Sequence, residues 1–358
     1  MAAPTGSTAA LNAAAGGSLI REDVMNKIWE MNIKETPFTD MIGSGTHKNR
    51  YTEWTEDKLA APSIYNSYVE GVDANQDDTR IGSRVGNHTQ GSRKIVRVNH
   101  VVEEQDVIGR SKEITYQVTN RQLELMRDVE ATILSNQGSI ADNADSVAGR
   151  AASFGSFLKT QQYGLANSAG ATGFNTSTKV VANVAVSNTA TTNAVSQTLI
   201  LKGVQESYAN NGNITVLMSV PEVVAKVNAF LVANNEAQKA TLSGQVPAFG
   251  NNGKEMVAQG YVSVFHTTFG TALRIVPNRI QQKYGASDDL STLNRADVYM
   301  VDTSKVELSY LSPYRSYELS KTGPSTKYEI DVDWTLKVPL VDAHAVIRNV
   351  NVAASMVA

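Results

Sequence analysis

Cysteine is absent from all 358 residues of this chain. A disulfide framework, a thiolate metal site and a cysteine nucleophile are therefore excluded. Long apolar runs are also missing, because no window approaches the ~20 apolar residues of a membrane-spanning helix. The N-terminal sequence MAAPTGSTAALNAAAGGS has neither the basic start nor the leucine-rich centre of a signal peptide. We therefore expect a soluble chain that is neither exported nor bound to a membrane.

Blocks of one charge sign are absent too, and the formal net charge is only -3. A protein that grips nucleic acid through its phosphates is normally basic. The composition therefore argues against strong nucleic-acid binding. It fits a neutral soluble protein, and equally a shell that encloses DNA without adhering to it. The length of 358 residues favours about two domains.

Motifs that carry chemistry are present only as incomplete matches. The segment GNNGKE at 250–255 contains the Gly-Lys pair of a phosphate loop, but Ala248 and Glu255 replace its first glycine and its final Ser or Thr. The segment 73–78 begins like a calcium loop, but Asp78 replaces the required glycine. The five histidines show no metal-ligand spacing. We therefore predict no catalytic residue, no cofactor, no metal site and no enzyme activity.

The longest regular pattern is helical and runs from residue 110 to residue 137, without proline or glycine. Its apolar residues form one stripe: Ile114, Val118, Leu125, Met126, Val129 and Ile133. The opposite face is polar and offers ion pairs three residues apart among Arg121, Glu124, Arg127, Asp128 and Glu130. Ser111 is the expected N-cap and Gly138 the expected stop. We expect this rod of roughly 40 Å to cross a whole domain.

Two strand patterns precede the long helix. The first lies in the segment 48–63, where one strand is followed by a proline turn, and the second is the alternating segment at 92–103, with Val96 and Val98 on one side and Arg97 on the other. We predict that these two strands pair with each other and form an arm. Because an isolated hairpin is only marginally stable, we expect this arm to lie on another subunit.

The N-terminal part predicts two further elements. Residues 1–17 are small and polar and predict a flexible arm. A short helix follows, which Ser18 caps and the segment around Pro37 ends. After the long helix, residues 138–198 predict surface loops with short strands such as 179–186.

An α/β lobe is predicted at 199–310. Its first helix is marked by Leu201, Val204 and Tyr208, and a capping box at 219–222 starts its second helix after a buried strand at 214–219. Further strands are expected at 261–266, 272–276 and 297–301. The alternating strands of 327–352 are expected to return and pack against the long helix.

The order of these parts resembles the Hong Kong 97-like major capsid proteins of tailed bacteriophages. Short motifs sharpen the resemblance to their SU10-like major head proteins: Thr36-Pro37-Phe38, Glu53-Trp54, Leu59-Ala60-Ala61-Pro62, Glu70-Gly71, Arg84-Val85-Gly86-Asn87-His88-Thr89-Gln90 and Asp128-Val129-Glu130. The match runs from about residue 23 to residue 134, and a weaker one returns at 334–349. Several motifs in the same order are far more specific than one alone.

The resemblance implies an α+β capsid fold with an N-arm, an extended β-loop, a P domain that holds a long spine helix, and an α/β A domain. The implied boundaries are 1–46 for the N-terminal arm, 47–104 for the extended loop, 105–198 for the P domain, 199–310 for the A domain and 311–358 for the return strands of the P domain.

The implied function is that of a major capsid protein. Such subunits self-assemble as pentamers and hexamers into the icosahedral shell of a virion, after synthesis in the cytoplasm of the host bacterium. The implied partner is the chain itself, with scaffold, decoration and portal proteins as further candidates. The shell encloses double-stranded DNA without sequence-specific binding. Lys58 has no identifiable partner for a lysine–asparagine crosslink, so we predict none.

The alternative to a capsid subunit is a β-rich tail or adhesin-type structural protein of a virion. The stretch 165–198, rich in Thr, Asn and Ala, favours this alternative.

Candidate contact residues lie in the extended loop. Aromatic side chains dominate interfaces when they are buried, so Trp54, Tyr65 and Tyr68 are the expected anchors on a neighbouring subunit. Packing of these rings inside their own subunit stays an open alternative. The remaining candidates come from the same motifs: Leu59, Pro62, Glu70 and Arg84.

Overall fold

The structure is a computed structural model that describes residues 34–71, 73, 79, 81–105, 107–143, 146–158, 162–163, 173–175, 177–182, 194–228, 264–267, 270–284, 294–321 and 323–352. The predicted N-terminal arm and the helix expected after Ser18 lie outside these residues. The described helices are Pro37–Met41, His100–Glu104, Glu113–Ile133, Phe154–Phe157, Gln197–Ala209 and 221–228, with 3-10 turns at Thr303–Lys305 and Val341–Ala343.

Twelve described strands complete the fold. They are β1 (Gly43–Thr46), β2 (Tyr51–Glu56), β3 (Ser83–His88), β4 (Gln90–Asn99), β5 (Gln162–Tyr163), β6 (Val216–Ser219), β7 (Val264–His266), β8 (Ala272–Pro277), β9 (Arg295–Val301), β10 (Glu307–Leu319), β11 (Ser325–Lys337) and β12 (Ala345–Asn351). They form a two-stranded, a four-stranded and a six-stranded sheet.

The long helix, here called the spine helix, runs from Glu113 to Ile133, and its 21 residues span about 32 Å. Its apolar stripe is confirmed, because Leu125, Val129 and Ile133 are buried. Both predicted ends are wrong, since Lys112 is the N-cap and the helix stops at Leu134. Leu134 is itself buried, and the hydroxyl of Tyr299 donates to its carbonyl at 3.1 Å. Tertiary packing therefore ends the helix before Gly138 is reached.

The four-stranded sheet packs along the spine helix, in the order β1-β10-β11-β4. β1 runs parallel to β10, and the other pairs are antiparallel. Val96 and Val98 of β4 are buried in one core with the apolar stripe of the helix, whereas Ile95 and Arg97 on the other face are exposed. Trp334 of β11 is fully buried in the same core.

The extended loop differs from the sequence prediction. β2 pairs antiparallel with β3, from Tyr51 opposite His88 to Glu56 opposite Ser83. β4, which the sequence assigned to the arm, pairs with β11 along its whole length instead. It ends at Asn99, and the chain continues in an exposed short helix. The predicted pairing is wrong because alternation identifies the buried face of a strand but not the strand beside it.

The six-stranded sheet has the order β5-β12-β9-β6-β8-β7. Every residue of β6 is buried, which explains the apolar run Val216, Leu217 and Met218 in this strand. The hydroxyl of Ser196 accepts from Leu199 N–H at 3.3 Å and caps the helix Gln197–Ala209. Val204 of this helix is buried, but Tyr208, predicted on the same face, is 67% exposed.

Most of the predicted lobe elements are confirmed, but two strands depart from the prediction. The helix at 221–228 follows β6 as expected, and its apolar face is buried: Val223, Val224 and Val227. β12 lies in this sheet, so the expectation that all strands of 327–352 pack against the spine helix is wrong for that strand. β10 starts at Glu307, inside the range predicted for the lobe, and belongs to the four-stranded sheet.

Two smaller predictions concern the segments around Pro37 and Val180. Pro37 lies in the first turn of a short helix, where its missing N–H is harmless. The helix that was expected to end before Pro37 lies outside the described residues, so its end stays a prediction. The strand expected at 179–186 is reduced to isolated bridges at Val180 and Val181 in its described part, and 183–186 lie outside the described residues. Across the residues that the structure describes, no helix combines the length and the apolar character needed to cross a membrane.

Asn87 fixes the base of the β2–β3 hairpin to the body. It is fully buried, and its amide nitrogen donates to the carbonyl of Leu336 at 2.8 Å and to that of Ala152 at 3.4 Å. Its amide oxygen accepts from Ala152 N–H at 2.8 Å and from the hydroxyl of Ser139 at 3.1 Å. The hairpin therefore leaves the body from a defined position.

We expect Asn87→Ala to lower the free energy of unfolding of the unassembled subunit by about 2–4 kcal/mol, because several buried polar groups lose their partner. Denaturant unfolding measures this loss. Asn49→Ala, at an exposed asparagine, is the matched control and should stay within about 0.5 kcal/mol of the wild type. Equal losses in both variants would show that the buried contacts of Asn87 are not what matters.

Candidate subunit interface

Residues 57–82, here called the tip, connect β2 to β3. Every described residue from 57 to 71 is exposed. Large apolar side chains are among the most exposed of the chain: Leu59 at 91%, Ile64 at 87%, Tyr65 at 84%, Tyr68 at 90%, Val69 at 73% and Ile81 at 94%. Monomeric proteins rarely expose many large apolar groups together. The tip therefore has the composition of a surface that another molecule covers.

The tip is attached to the body at its base. Glu56 accepts a hydrogen bond from Leu340 N–H at 2.9 Å. The backbone of Leu340 is left-handed, with a φ of 56°. Lys58 Nζ donates to the amide oxygen of Asn210, at the end of the helix Gln197–Ala209, at 3.0 Å. Further along, Tyr65 N–H donates to the hydroxyl of Ser63, within the tip itself. These contacts orient the tip without covering its apolar side chains.

The structure places the predicted contact residues in two environments. Most of them are exposed on the tip: Leu59, Pro62, Tyr65, Tyr68 and Glu70. Arg84 is exposed on β3, with its guanidinium 3.8 Å from the carboxylate of Glu53. Trp54 differs, because it is half-buried and its ring centroid lies 6.1 Å from that of Phe157. The ring of Trp54 therefore packs inside its own subunit, as the open alternative allowed.

Sequence reasoning did not select Ile64, Val69 or Ile81, although all three are highly exposed. The available signal was an apolar residue in a segment with no periodic pattern, where no face is available to bury it. Aromatic type selected only the rings, and the family motifs added Leu59 and Pro62, so these three aliphatic side chains were omitted.

Glu130 is the main buried polar group that the sequence did not predict. It lies on the spine helix with no exposed surface, although its position suggested the polar face. Its carboxylate accepts hydrogen bonds from the backbone N–H groups of Phe38 and Thr39, both at 2.8 Å, and from the side-chain amide of Asn278 at 2.8 Å. The spine helix, the helix Pro37–Met41 and the segment after β8 meet at this one group.

Burial raises the pKa of the Glu130 carboxyl above its usual value of 4.5. The hydrogen bonds from Phe38, Thr39 and Asn278 favour the charged form and offset part of that increase. Burial raises the pKa of the Tyr314 hydroxyl on β10, and Tyr310 and the charge of Glu130 add to that increase.

Other polar side chains that could suggest a site have structural partners. Asp331 pairs with Arg315 on the neighbouring strand, with oxygen–nitrogen distances of 2.8 and 2.7 Å. His47 lies within hydrogen-bonding distance of the hydroxyls of Ser309 and Thr89, at 3.1 and 2.9 Å. Among the described residues, no three carboxylate or imidazole groups come together in a way that could hold a metal ion.

Lys58 is the residue for which the sequence offered no crosslink partner. Its amine lies 3.0 Å from the amide oxygen of Asn210 in the same chain, as a hydrogen bond. The absence of a crosslink to a neighbouring subunit stays a prediction.

Comparison with known proteins identifies the family of the chain. A sequence profile of the SU10 major capsid protein family matches residues 3–351. The chain belongs to this family. A curated relative, the major capsid protein of Escherichia phage Phieco32, is 32% identical over 112 residues, which are 31% of this chain and 32% of that protein. The alignment thus spans about a third of that relative.

Solved capsid structures share the fold of this SU10-family chain. The capsid asymmetric unit of Cyanophage A-1(L) has a TM-score of 0.56 at 11% identity and covers 93% of this chain and 97% of that chain. The capsid of Cyanophage P-SCSP1u has a TM-score of 0.54 at 14% identity, with coverage of 94% and 95%. At these identities the likeness is one of fold. It confirms the predicted α+β, Hong Kong 97-like capsid fold.

The motif Asp128-Val129-Glu130 that carried the resemblance to the SU10 family now has a physical reading. Asp128 pairs with Lys94 of β4 at 2.6 Å, and Val129 is buried in the core. Glu130 accepts the three hydrogen bonds described above. Asp128 therefore connects the spine helix to the four-stranded sheet, Val129 connects it to the core, and Glu130 connects it to the helix Pro37–Met41.

We expect the stability difference between the wild type and Glu130→Gln to depend on pH. Between 4.5 and the raised pKa, the folded wild type keeps a proton that the unfolded chain has lost, so its free energy of unfolding falls as the pH rises. Glutamine cannot ionise, so the wild type should lose stability relative to this variant above pH 4.5. Denaturant unfolding of both proteins at several pH values measures the difference.

Glu130→Ala is the companion variant and should lose about 2–4 kcal/mol, because three N–H donors lose their acceptor. If the wild type instead became more stable relative to Glu130→Gln as the pH rises, the hydrogen bonds to Glu130 would outweigh its burial and lower its pKa.

Proposed function

We propose that this chain is the shell-forming subunit of a phage head, assembling as pentamers and hexamers around double-stranded DNA. The observation that carries the proposal is the tip, whose apolar side chains are exposed and whose contacts to the body lie at its base. Membership in the SU10 major capsid protein family and the capsid fold support it.

The physical mechanism is association through the tip. Obligate interfaces bury more than about 2,000 Å² in total, which a compact body reaches only with difficulty. A hairpin that extends from the body adds area on a neighbour, and buried tyrosines such as Tyr65 and Tyr68 contribute strongly when water is excluded. When two different patches of a subunit contact its two neighbours, the subunits form a closed ring if the rotation from one subunit to the next adds up to a full turn. A shell uses several such contacts per subunit.

The enclosed DNA needs no specific site in this proposal. The formal net charge of -3 suits a container that does not adhere to its contents. Scaffold, decoration and portal proteins, and assembly in the host cytoplasm, belong to the same proposal. The family match and the capsid fold disfavour the alternative of a β-rich tail or adhesin-type protein.

Replacing residues 57–82 with Asn-Gly tests the role of the tip. Glu56 and Ser83 are opposite each other in the hairpin, so a two-residue turn joins them without changing the register. We expect a chain that unfolds cooperatively like the wild type but forms no regular shells. Circular dichroism and unfolding report on the fold, and sedimentation with electron microscopy reports on shells. Regular shells from this variant would contradict the proposal.

Point substitutions refine the same experiment. Tyr65→Ser combined with Tyr68→Ser should reduce shell formation, because both rings lose their apolar contact with a neighbour. Tyr208→Ser is the matched control, since Tyr208 is also exposed but lies on the helix Gln197–Ala209. Equal effects in the two cases would argue against a specific role for the tip.

A further inference from the structure

Hydrogen bonds form a closed loop, here called the contact loop, at the outer end of strand β2. It begins at Glu56, whose carboxylate accepts from Leu340 N–H at 2.9 Å. The carbonyl of Leu340 accepts from Ala343 N–H at 2.8 Å, and the carbonyl of Ala343 accepts from the hydroxyl of Ser207 at 2.5 Å. Residues 338–344 connect β11 to β12, so this part of the contact loop lies where the four-stranded sheet continues into the six-stranded sheet.

The helix Gln197–Ala209 continues the contact loop back to the hairpin. Ser207 lies in its last turn and is fully buried. The side-chain amide nitrogen of Asn210, just after the helix, donates to a carbonyl of the helix at 3.0 Å, and the amide oxygen accepts from Lys58 Nζ at 3.0 Å. Lys58 lies two residues after Glu56, so the contact loop closes within one short stretch of the chain.

Packing leaves little free space between the helix and the turn that follows β11. Gly212 N–H donates to the carbonyl of Ser207 at 2.9 Å, and a Cβ at Gly212 would lie 2.5 Å from the carbonyl oxygen of Ala343. Leu340 has a left-handed φ of 56°, which a residue with a side chain keeps only where its surroundings hold it. A displacement of the helix therefore also displaces the groups that Glu56 and Lys58 contact.

The other end of the hairpin is attached to a different sheet. The amide of Asn87 donates to the carbonyl of Leu336, near the end of β11 in the four-stranded sheet. The hairpin is thus held by this sheet at its base, and by the α/β lobe and the turn between the sheets at its outer end. A rigid hairpin held at two such points must change direction when the angle between the two sheets changes.

We propose that the β2–β3 hairpin is a lever, which Glu56 and Lys58 move together with the α/β lobe. A change in the angle between the two sheets then redirects the tip. This inference rests on the proposed function, because pentamers and hexamers place neighbouring subunits at slightly different angles. It assigns Glu56 and Lys58 as positioning residues, which act on the direction of the tip and not through its apolar surface.

Both positioning residues can be changed without disturbing the core. Lys58 is exposed and Glu56 is half-buried. Polar contacts near the surface contribute little to the stability of a folded chain, because water replaces them when they break. A substitution at either residue should therefore release the hairpin and leave the fold intact.

Exchanging charge between the hairpin and the lobe tests the lever. Lys58→Glu removes the donor to Asn210, and Asn210→Lys places two cations together. Either variant should broaden the distribution of distances between the tip and the lobe helix about twofold, because the outer end of the hairpin loses a contact. The two substitutions together should restore the wild-type width, since a carboxylate and an amine again face each other. Lys48→Glu, at an exposed lysine before β2, is the matched control and should leave the width unchanged.

Spin labels on two introduced cysteines measure this distance in the unassembled full chain. The chain has no cysteine of its own, so the labels attach only at Ser67→Cys on the tip and Gln205→Cys on the helix, both exposed positions. Denaturant unfolding should give the same midpoint for all variants, which separates positioning from a loss of stability. Equal widths in all variants, or no restoration in the double variant, would overturn the proposal.

Hydrogen exchange at the Leu340 amide tests whether the contact loop acts as a unit. Glu56→Ala should speed exchange there about tenfold, because the N–H loses its acceptor. Lys58→Glu should also speed it, by about threefold, although Lys58 does not touch Leu340, since the hairpin that carries Glu56 is released. Exchange that Lys58→Glu leaves unchanged would show that the two contacts are independent, and would overturn the lever.

Shell formation separates this inference from the proposed function. Lys58→Glu should raise the protein concentration needed for half-maximal shell formation about fivefold, because a released tip loses more conformational freedom when it binds a neighbour. The double variant with Asn210→Lys should return to the wild-type concentration. Changes in distance width without shells from the wild type would contradict the proposed function and leave the lever standing. Shells whose formation ignores Lys58→Glu would contradict the lever alone.

Discussion

The carboxylate of Glu130 is buried with no ion-pair partner among the described residues, and three N–H donors from two other parts of the chain satisfy it. The contacts continue from there. Asn278 accepts from Gln281 N–H at 3.2 Å, and the Gln281 amide donates to the carbonyl of Asp297 at 2.6 Å. Asp297 pairs with Arg348 at 3.3 Å in the same buried region. One network of polar contacts therefore joins the spine helix to the six-stranded sheet.

Such a network stabilises only when all its members are in place, because each unpartnered buried group is unfavourable. Arg348 illustrates this, since its guanidinium also donates to Asn136 at 2.8 Å and to the carbonyl of Gly155 at 2.5 Å. These contacts fix the six-stranded sheet against the segments that follow the spine helix. The tip is the opposite case, because its apolar groups are exposed among the residues that the structure describes. The body is thus stabilised from within, whereas the apolar side chains of the tip stay exposed.

The sequence predicts those features that depend on local periodicity. The stripe that includes Leu125 and Val129 indicated the spine helix, and the apolar run at 214–219 indicated β6. It could not predict that β4 pairs with β11, because pairing depends on two distant segments at once. Glu130 was missed for a similar reason, since the donors that allow its burial lie 91, 92 and 148 residues away in sequence.

The candidate interface was predictable in part. The extended loop was predicted as an arm that lies on another subunit, and Tyr65 and Tyr68 were selected from it by residue type. Trp54 was selected by the same criterion, yet it packs beside Phe157, because a strand within the hairpin does have a side facing the body. Residue type identifies a side chain that is able to anchor an interface, and only the surrounding fold decides whether it is available.

The exposed tip also has a consequence for the chain before any neighbour is present. At that stage its tyrosines and aliphatic side chains can adhere to any apolar surface, including a second tip. The adjacent carboxylates repel one another between copies, and Pro62 interrupts the strand-like pairing on which aggregation depends. Charge repulsion between these acidic residues therefore opposes contact between two tips.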